Sequence, residues 1–180
     1  MTKRKTVALG LGSTLAVLYG FGTAAVNAAP AMPKPLVAEK AAKAAPDVAF
    51  TDAKGARHTL KEYRGKYVLL NMWATWCAGC VAELPALAKL KAAAPNITLL
   101  AVDLTGKRET PALAEAFLKS HKAGSLGTAV DTDVTFMRKF LTPSLPVTVL
   151  IDPSGKIVAR SDLPAEWASP AFVSYFKGLK

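Results

Sequence analysis

The chain is poor in the residues that build metal centres and cofactor sites. Its 180 residues include two cysteines and two histidines, and the histidines are far in sequence from the cysteines and from each other. Two cysteines cannot by themselves complete the four-ligand set of a typical zinc site. The glycine-rich motifs that bind dinucleotides and nucleoside triphosphates are missing, as is the Cys-x-x-Cys-His motif that attaches haem. We therefore predict no cofactor and assign no metal ligand.

Acidic residues are also scarce, since 13 aspartates and glutamates are outnumbered by 23 lysines and arginines. The formal charge is +10, and without Lys3, Arg4 and Lys5 the remainder of the chain carries +7. A basic domain can attract anionic lipids or an acidic partner protein. Lysines dispersed over a soluble surface are the simpler interpretation. Nucleic acid is not a predicted partner, because basic and aromatic residues are not interleaved.

Charge is absent altogether from residues 6–33, and residues 7–26 are predominantly apolar. A short basic segment followed by an apolar run and small residues is typical of an export signal, with cleavage after Ala28. The alternative is an uncleaved membrane anchor through residues 6–27, because about 20 apolar residues suffice to span a bilayer. Either way, residues 1–28 direct the rest of the chain to the periplasm or the extracytoplasmic face of the inner membrane.

The remainder divides into a linker and one domain. Residues 29–46 consist mostly of alanine, proline and lysine, a composition that predicts a semi-extended linker. Residues 47–180 are enough for a single globular domain with a substantial core.

What the sequence does contain is a cysteine pair two residues apart, Cys77 and Cys80, directly after the apolar run Tyr67–Met72. The run predicts a buried strand, and the alanine, leucine and lysine of Ala78–Ala94 predict a helix. Cys77 is then expected at the helix N-terminus, where free N–H groups and the helix dipole stabilise a thiolate. Cys77 is the predicted attacking sulfur and Cys80 the resolving one.

A static structural bridge and a metal site are the alternatives for this pair. A disulfide that closes so short a loop constrains the unfolded chain little, because the entropic gain grows with loop length. Thiol–disulfide exchange is therefore the favoured chemistry.

Other apolar and helix-forming segments alternate along the domain. They predict an α/β fold with a central mixed β-sheet covered by helices on both faces. The predicted strands are Ile97–Asp103, Val147–Ile151 and Lys156–Ser161, and the predicted helices are Thr110–His121, Asp133–Phe140 and a last one from Ser169.

Several motifs together resemble a known family. Residues 71–77, Asn-Met-Trp-Ala-Thr-Trp-Cys, are followed by Glu83-Leu84-Pro85, and Leu145-Pro146 stands just before a strand. This pattern resembles the extracytoplasmic thioredoxin-like family that includes TlpA, ResA and CcmG. The later segment Pro164–Ser169 is similar to TlpA in particular. The resemblance covers residues 48–178 and implies a thioredoxin-like fold.

The resemblance implies a docking surface for substrates. Pro146 matches the position that carries a cis peptide bond and faces the cysteine pair in this family. Leu145 would line the surface where an extended partner strand docks, and Trp76 would shield the disulfide and contact substrates. A trans proline that opens an edge strand is the alternative for Pro146.

The resemblance also implies residues that tune the pair. Glu83 would accept a proton from Cys80, whereas the alternative is a solvated surface glutamate. Asn71 stands where general thioredoxins place a buried carboxylate. Ala78 and Gly79 separate the cysteines, and Gly79 replaces the proline that is common in the family, so the redox potential cannot be transferred.

The predicted function is an exported thiol–disulfide oxidoreductase that reduces protein disulfides, with the Cys77–Cys80 disulfide as its only redox group. A membrane thiol reductant would recharge it. The resemblance to TlpA implies that its partners include copper-site proteins of cytochrome oxidase, whereas Val147-Thr148 departs from the Glu-Thr of CcmG-like proteins and argues against cytochrome c maturation. The alternatives are a Cu(I) chaperone, because soft thiolates bind Cu(I), and an oxidase of high potential.

Overall fold

The structure, a computed structural model, describes residues 31–180. The predicted export or anchor segment, residues 1–28, lies outside the described residues. Within this part of the chain, eight strands and four α-helices follow one another in the order β1 Val37–Ala44, β2 Ala49–Asp52, β3 Arg57–Thr59, β4 Val68–Trp73, α1 Ala78–Ala93, β5 Thr98–Asp103, α2 Pro111–Ser120, β6 Ala129–Val130, α3 Phe136–Lys139, β7 Val147–Ile151, β8 Lys156–Ser161 and α4 Pro170–Lys177.

All eight strands form one mixed sheet with the order β1-β8-β7-β4-β5-β6-β2-β3. The central strand β4 pairs parallel with β5 and antiparallel with β7. Every residue of β4 is buried, as its continuous apolar run predicts for a strand covered on both faces. The cysteine pair comes soon after this strand, so a fully buried element of the sheet positions it.

Alternate residues of β4 contribute to two separate cores. Leu69 and Trp73 pack in one core together with side chains of α1, α2 and α4. Val68, Leu70 and Met72 pack in the other core, which includes Phe136 at the start of α3. The prediction of a mixed sheet with helices on both faces is therefore confirmed.

The predicted linker is wrong for part of its length. Val37–Ala44 forms the edge strand β1, which pairs antiparallel with β8 and is anchored by Leu36, only 2% exposed. All eight residues of β1 are exposed. An edge strand without a buried face has no alternating apolar pattern, so its composition resembled that of a linker.

The helix predicted over Asp133–Phe140 is shorter, Phe136–Lys139. The Asp131 carboxylate accepts hydrogen bonds from the N–H groups of Thr135 and Phe136, at 2.7 and 2.8 Å, and so fixes the start of this helix. The hairpin of β2 and β3 and the short strand β6 were not predicted.

None of the helices within residues 31–180 is long and apolar enough to cross a membrane.

Candidate active site

The cysteine pair lies where β4 runs into α1. Cys77 is the N-cap of α1, and its sulfur accepts a hydrogen bond from the backbone N–H of Cys80 at 3.2 Å. The two cysteines form a disulfide. Cys77 is 8% exposed and Cys80 is fully buried, so a partner reaches the sulfur of Cys77 first. In the reduced protein the same N–H group and the helix N-terminus stabilise a Cys77 thiolate.

Glu83 lies on α1 one turn beyond Cys80 and is only 4% exposed. Its Oε1 accepts a hydrogen bond from Asn71 Nδ2 at 2.8 Å. Its Oε2 accepts hydrogen bonds from Trp167 Nε1 at 2.7 Å and from the Ala165 N–H at 3.0 Å. The alternative interpretation of Glu83 as a solvated surface residue is therefore wrong.

The environment of Glu83 favours a proton-accepting group. Burial raises the pKa of this carboxyl, whereas the hydrogen bonds from Trp167, Ala165 and Asn71 lower it, and burial outweighs them. A carboxylate with a raised pKa is better matched to proton transfer near neutral pH than an exposed one. The role of Glu83 in exchange stays a prediction.

Asn71 connects Glu83 to the neighbouring strand β7. Its Nδ2 also donates to Thr148 Oγ1 at 2.9 Å, and Asn71, Thr148 and Glu83 are all buried. Its Oδ1 is buried without a hydrogen-bond partner among the described residues. The neutral amide therefore stands at the centre of the sheet and contacts the acid that α1 supplies.

Trp167 is a member of this polar group that sequence reasoning missed. It is fully buried and donates to Glu83. The segment Pro164–Ser169 contributed to the family resemblance, but its spacing gave no indication that its tryptophan contacts Glu83. Only the chain path after β8 brings the two together.

The predicted docking residues lie beside the pair. The Leu145–Pro146 peptide bond is cis, as the resemblance implied. A Cβ atom built at Gly79 would lie 3.8 Å from Pro146 Cδ and 3.8 Å from Pro164 Cγ, so Gly79 faces both prolines at ordinary contact distance. Leu145 is half-buried and packs against both cores. Ala78 is exposed at the start of α1.

A cleft of about 320 Å³ opens beside α1. It is lined by Gly79, Ala82, Glu83, Ala86, Pro164, Ala165 and Glu166. The cleft therefore brings Glu83 close to solvent, next to the residue between the cysteines.

The two tryptophans of the motif lie in different environments. Trp73 is fully buried and packs against Phe117, with 5.6 Å between ring centroids. Trp76 is 62% exposed, and its Nε1 donates to the Thr105 carbonyl at 3.4 Å. Thr105 is a second neighbour of the site that the sequence did not indicate.

Cys77 is the more exposed cysteine of the disulfide, and the buried Glu83 carboxyl lies one helical turn beyond Cys80. This arrangement is suited to exchange with a target disulfide. On this sheet it defines a thioredoxin-like thiol–disulfide oxidoreductase. Comparison with known proteins agrees, because residues 41–160 match the AhpC/TSA family. The chain belongs to that family.

Curated relatives of the chain are named as thiol-disulfide oxidoreductases. The chain is 29% identical over 160 residues to the thiol-disulfide oxidoreductase ResA of Bacillus subtilis, covering 88% of this chain and 86% of that protein. It is 32% identical over 120 residues to a ResA of Bacillus cereus, covering 66% of this chain and 67% of that protein. The resemblance to the family that includes ResA is therefore confirmed.

A solved structure gives the same answer for the fold. A putative thiol:disulfide interchange protein DsbE from Chlorobium tepidum superposes with a TM-score of 0.60 at 26% identity, covering 69% of this chain and 86% of that chain.

Proposed function

We propose that this oxidoreductase is an extracytoplasmic reductant of protein disulfides. The observation that carries the proposal is the pairing of Cys77, the more exposed of the two cysteines, at a helix N-terminus with a fully buried Cys80, one turn from the buried Glu83. A thiolate at Cys77 is the nucleophile, and Glu83 supplies the base that Cys80 needs.

The exchange proceeds in two displacements. The Cys77 thiolate attacks one sulfur of the target disulfide, a Cys77–target disulfide forms, and the second target sulfur leaves as a thiolate. Cys80 then gives its proton to Glu83 and attacks the Cys77 sulfur, which releases the first target sulfur. The Cys77–Cys80 dithiol loses two electrons, and the target disulfide gains them. A membrane thiol reductant restores the dithiol by the same chemistry in reverse.

The partner surface includes Trp76, Leu145 and Pro146. A cis proline donates no N–H, and the backbone before it can meet an extended segment of the target close to Cys77. Partners are therefore disulfide-containing exported proteins, and the similarity of Pro164–Ser169 to TlpA favours copper-site proteins of cytochrome oxidase among them. Cytochrome c maturation fits less well, because Val147-Thr148 follows the proline.

Location is part of the same proposal. Residues 1–28 have the pattern of an export signal or of an anchor, and a reductant on the oxidising side of the membrane needs a dedicated electron donor. We place the domain in the periplasm or at the extracytoplasmic face of the inner membrane.

A Cys80→Ser variant tests the attacking residue and the partner together. Without Cys80 the mixed disulfide on Cys77 cannot resolve, so targets accumulate covalently bound and are identified after purification from the source cell. The matched control is Cys77→Ser, which should trap none. Partners on the Cys77→Ser variant and none on Cys80→Ser would reverse the assignment of the nucleophile.

Cu(I) binding and the midpoint potential of the cysteine pair distinguish the proposed reductant from a copper chaperone and from an oxidase. Tight stoichiometric Cu(I) uptake without disulfide reductase activity would favour a copper chaperone that uses the two thiolates. A midpoint potential in the range of strong oxidants, about −120 mV, would instead indicate that the protein introduces disulfides.

A further inference from the structure

The loop after β5 is hydrogen-bonded to the segment that precedes Cys77. The Leu104 N–H donates to the Trp73 carbonyl at 2.7 Å. Thr105 makes three further contacts: its Oγ1 accepts from the Thr75 N–H at 2.9 Å and is hydrogen-bonded to Thr75 Oγ1 at 3.2 Å, and its carbonyl accepts from Trp76 Nε1 at 3.4 Å. Thr105 therefore contacts both residues that stand immediately before the attacking cysteine.

Asp103, the last residue of β5, holds Thr105 in place. Its Oδ1 accepts two hydrogen bonds from Thr105, one from the N–H at 2.7 Å and one from the hydroxyl. Asp103 is fully buried, and its Oδ2 has no hydrogen-bond partner within residues 31–180. All the side-chain hydrogen bonds that Asp103 makes there go to one threonine.

Burying a carboxyl in this position is costly. Desolvation raises the pKa of Asp103 more than the two bonds from Thr105 lower it, and no cation offsets it among the described groups that shift it. Burial and, after it, repulsion from Asp103 raise the pKa of Glu109, so the interaction between these two groups is one of like charges. An ion pair therefore does not explain Asp103, whereas its contacts to Thr105 do.

We propose that Asp103 is a positioning residue for the exchange reaction, because through Thr105 it fixes the Thr75 backbone and the Trp76 indole beside Cys77. Trp76 is largely exposed, and its bond to Thr105 is the one polar contact that the structure gives the ring within residues 31–180. A ring held in one orientation presents a ready surface to a protein partner, since less side-chain freedom is lost on docking. This inference rests on the proposed role of Trp76 in contacting substrates.

Two substitutions interrupt, at different points, the hydrogen bonds that run from Asp103 through Thr105 to Thr75 and Trp76. Asp103→Leu removes both acceptor bonds to Thr105, and Thr105→Val removes the hydroxyl that connects Asp103 to Thr75. Asp103→Asn is the conservative variant, because its Oδ1 still accepts from Thr105. Asp131→Ala is the matched control: this carboxyl is also buried with one unpartnered oxygen among the described residues, but it contacts the start of α3 instead.

Time-resolved fluorescence anisotropy reports the mobility of Trp76 after subtraction of the signal of a Trp76→Phe protein. We expect Asp103→Leu and Thr105→Val to add a fast component that Asp103→Asn and Asp131→Ala lack. This measurement needs no enzymatic activity, so it stands if the proposed reductase function fails. An unchanged Trp76 signal in both Asp103→Leu and Thr105→Val would overturn the proposal.

Kinetics test the consequence for substrates. For reduction of insulin disulfides we expect Asp103→Leu to raise KM by about three- to tenfold. Its kcat and its rate with a small aromatic disulfide such as DTNB should stay near those of the unsubstituted protein. In a Trp76→Phe background the same substitution should change KM little. An equal loss with small and protein disulfides, or an equal effect in both backgrounds, would mean that Asp103 is merely structural.

Discussion

At the scale of single residues, the most informative side chain is Glu83. Its carboxyl is buried, accepts hydrogen bonds from Asn71, Trp167 and Ala165, and has a pKa that burial raises. Such a group is better matched to taking a proton from Cys80 near neutral pH than an exposed glutamate is. The proposed proton transfer therefore depends on a residue whose burial only the fold reveals.

Glu83→Gln should slow the resolving step by about a hundredfold, the lower end of what general base catalysis contributes. Formation of the Cys77 mixed disulfide should be little affected, because that step uses the helix N-terminus. Single-turnover kinetics with a fluorescent protein disulfide separates the two steps. The Asn71 amide can turn to accept from the new glutamine, so the fold should persist. Equal slowing of both steps would argue against a base role.

Gly79 is a second residue whose substitution has a predictable effect, here on stability. Its φ angle is not in the left-handed region, and a Cβ there would meet Pro146 and Pro164 only at 3.8 Å. Gly79→Ala should therefore stabilise the oxidised protein by up to about 1 kcal/mol in urea unfolding, because alanine loses less backbone freedom in a helix.

The control for this substitution is Gly155→Ala. Gly155 has a φ of 84°, and its Cβ would lie 3.2 Å from Arg64 Nε. This variant should be less stable than the unsubstituted protein. If both alanine variants shift stability in the same direction, the backbone argument for Gly79 fails.

At the scale of elements, the edge strand β1 shows how an element can form with little sequence signal. None of its side chains is buried, and its backbone pairs with β8 at both ends, Val37 opposite Arg160 and Ala44 opposite Lys156. Leu36 is the apolar anchor just before the strand. The strand is therefore held by backbone hydrogen bonds and one leucine.

Leu36→Ala should lower the free energy of unfolding by about 2–3 kcal/mol, the cost of truncating a buried leucine. Val37→Ala, one residue further along and exposed, should change it by less than about 0.5 kcal/mol. Urea unfolding of the two variants gives the comparison. A Leu36→Ala variant as stable as Val37→Ala would show that β1 is not anchored in solution.

Elements with a local sequence signal could be predicted, and elements without one could not. Strands β4, β5, β7 and β8 and helix α1 were predictable, because their apolar runs or helix-forming composition are local signals. Strand β1 was not, since its partner β8 is distant in sequence and its side chains are exposed. The β2–β3 hairpin was not, because strands of four and three residues are too short to show a clear apolar pattern. The length of helix α3 was overestimated, because Asp131, which caps the start of the helix, lies outside the segment with helix-forming composition.

At the scale of the whole molecule, burial of Glu83 links stability to pH. An acid whose pKa is raised by folding binds its proton more tightly in the folded state than in the unfolded chain. Stability therefore falls as pH rises from below the unfolded pKa through the folded one. A glutamine at this position has no such dependence.

The Tm difference between Glu83→Gln and the unsubstituted protein should accordingly become more favourable to the variant as the pH rises above the unfolded pKa of a glutamate, about 4.3. The remaining acids are the same in both proteins and cancel in the difference. Calorimetric scans of both proteins in the oxidised form at several pH values provide the measurement. Parallel Tm curves across this range would contradict a raised pKa at Glu83.

By itself the sequence determined the class of chemistry and its position in the chain. A Cys-x-x-Cys pair between an apolar strand and a helix-forming run is a local pattern, and the helix-start geometry of Cys77 follows from it. The tertiary structure decided what surrounds the pair. Trp167 contacts Glu83, Thr148 contacts Asn71, and Thr105, held by Asp103, contacts Thr75 and Trp76, all from segments distant in sequence. Burial of Glu83 results from the packing of α1 against the sheet and the chain after β8. Local sequence carries no signal for such contacts, because side chains that meet across the fold share no periodicity.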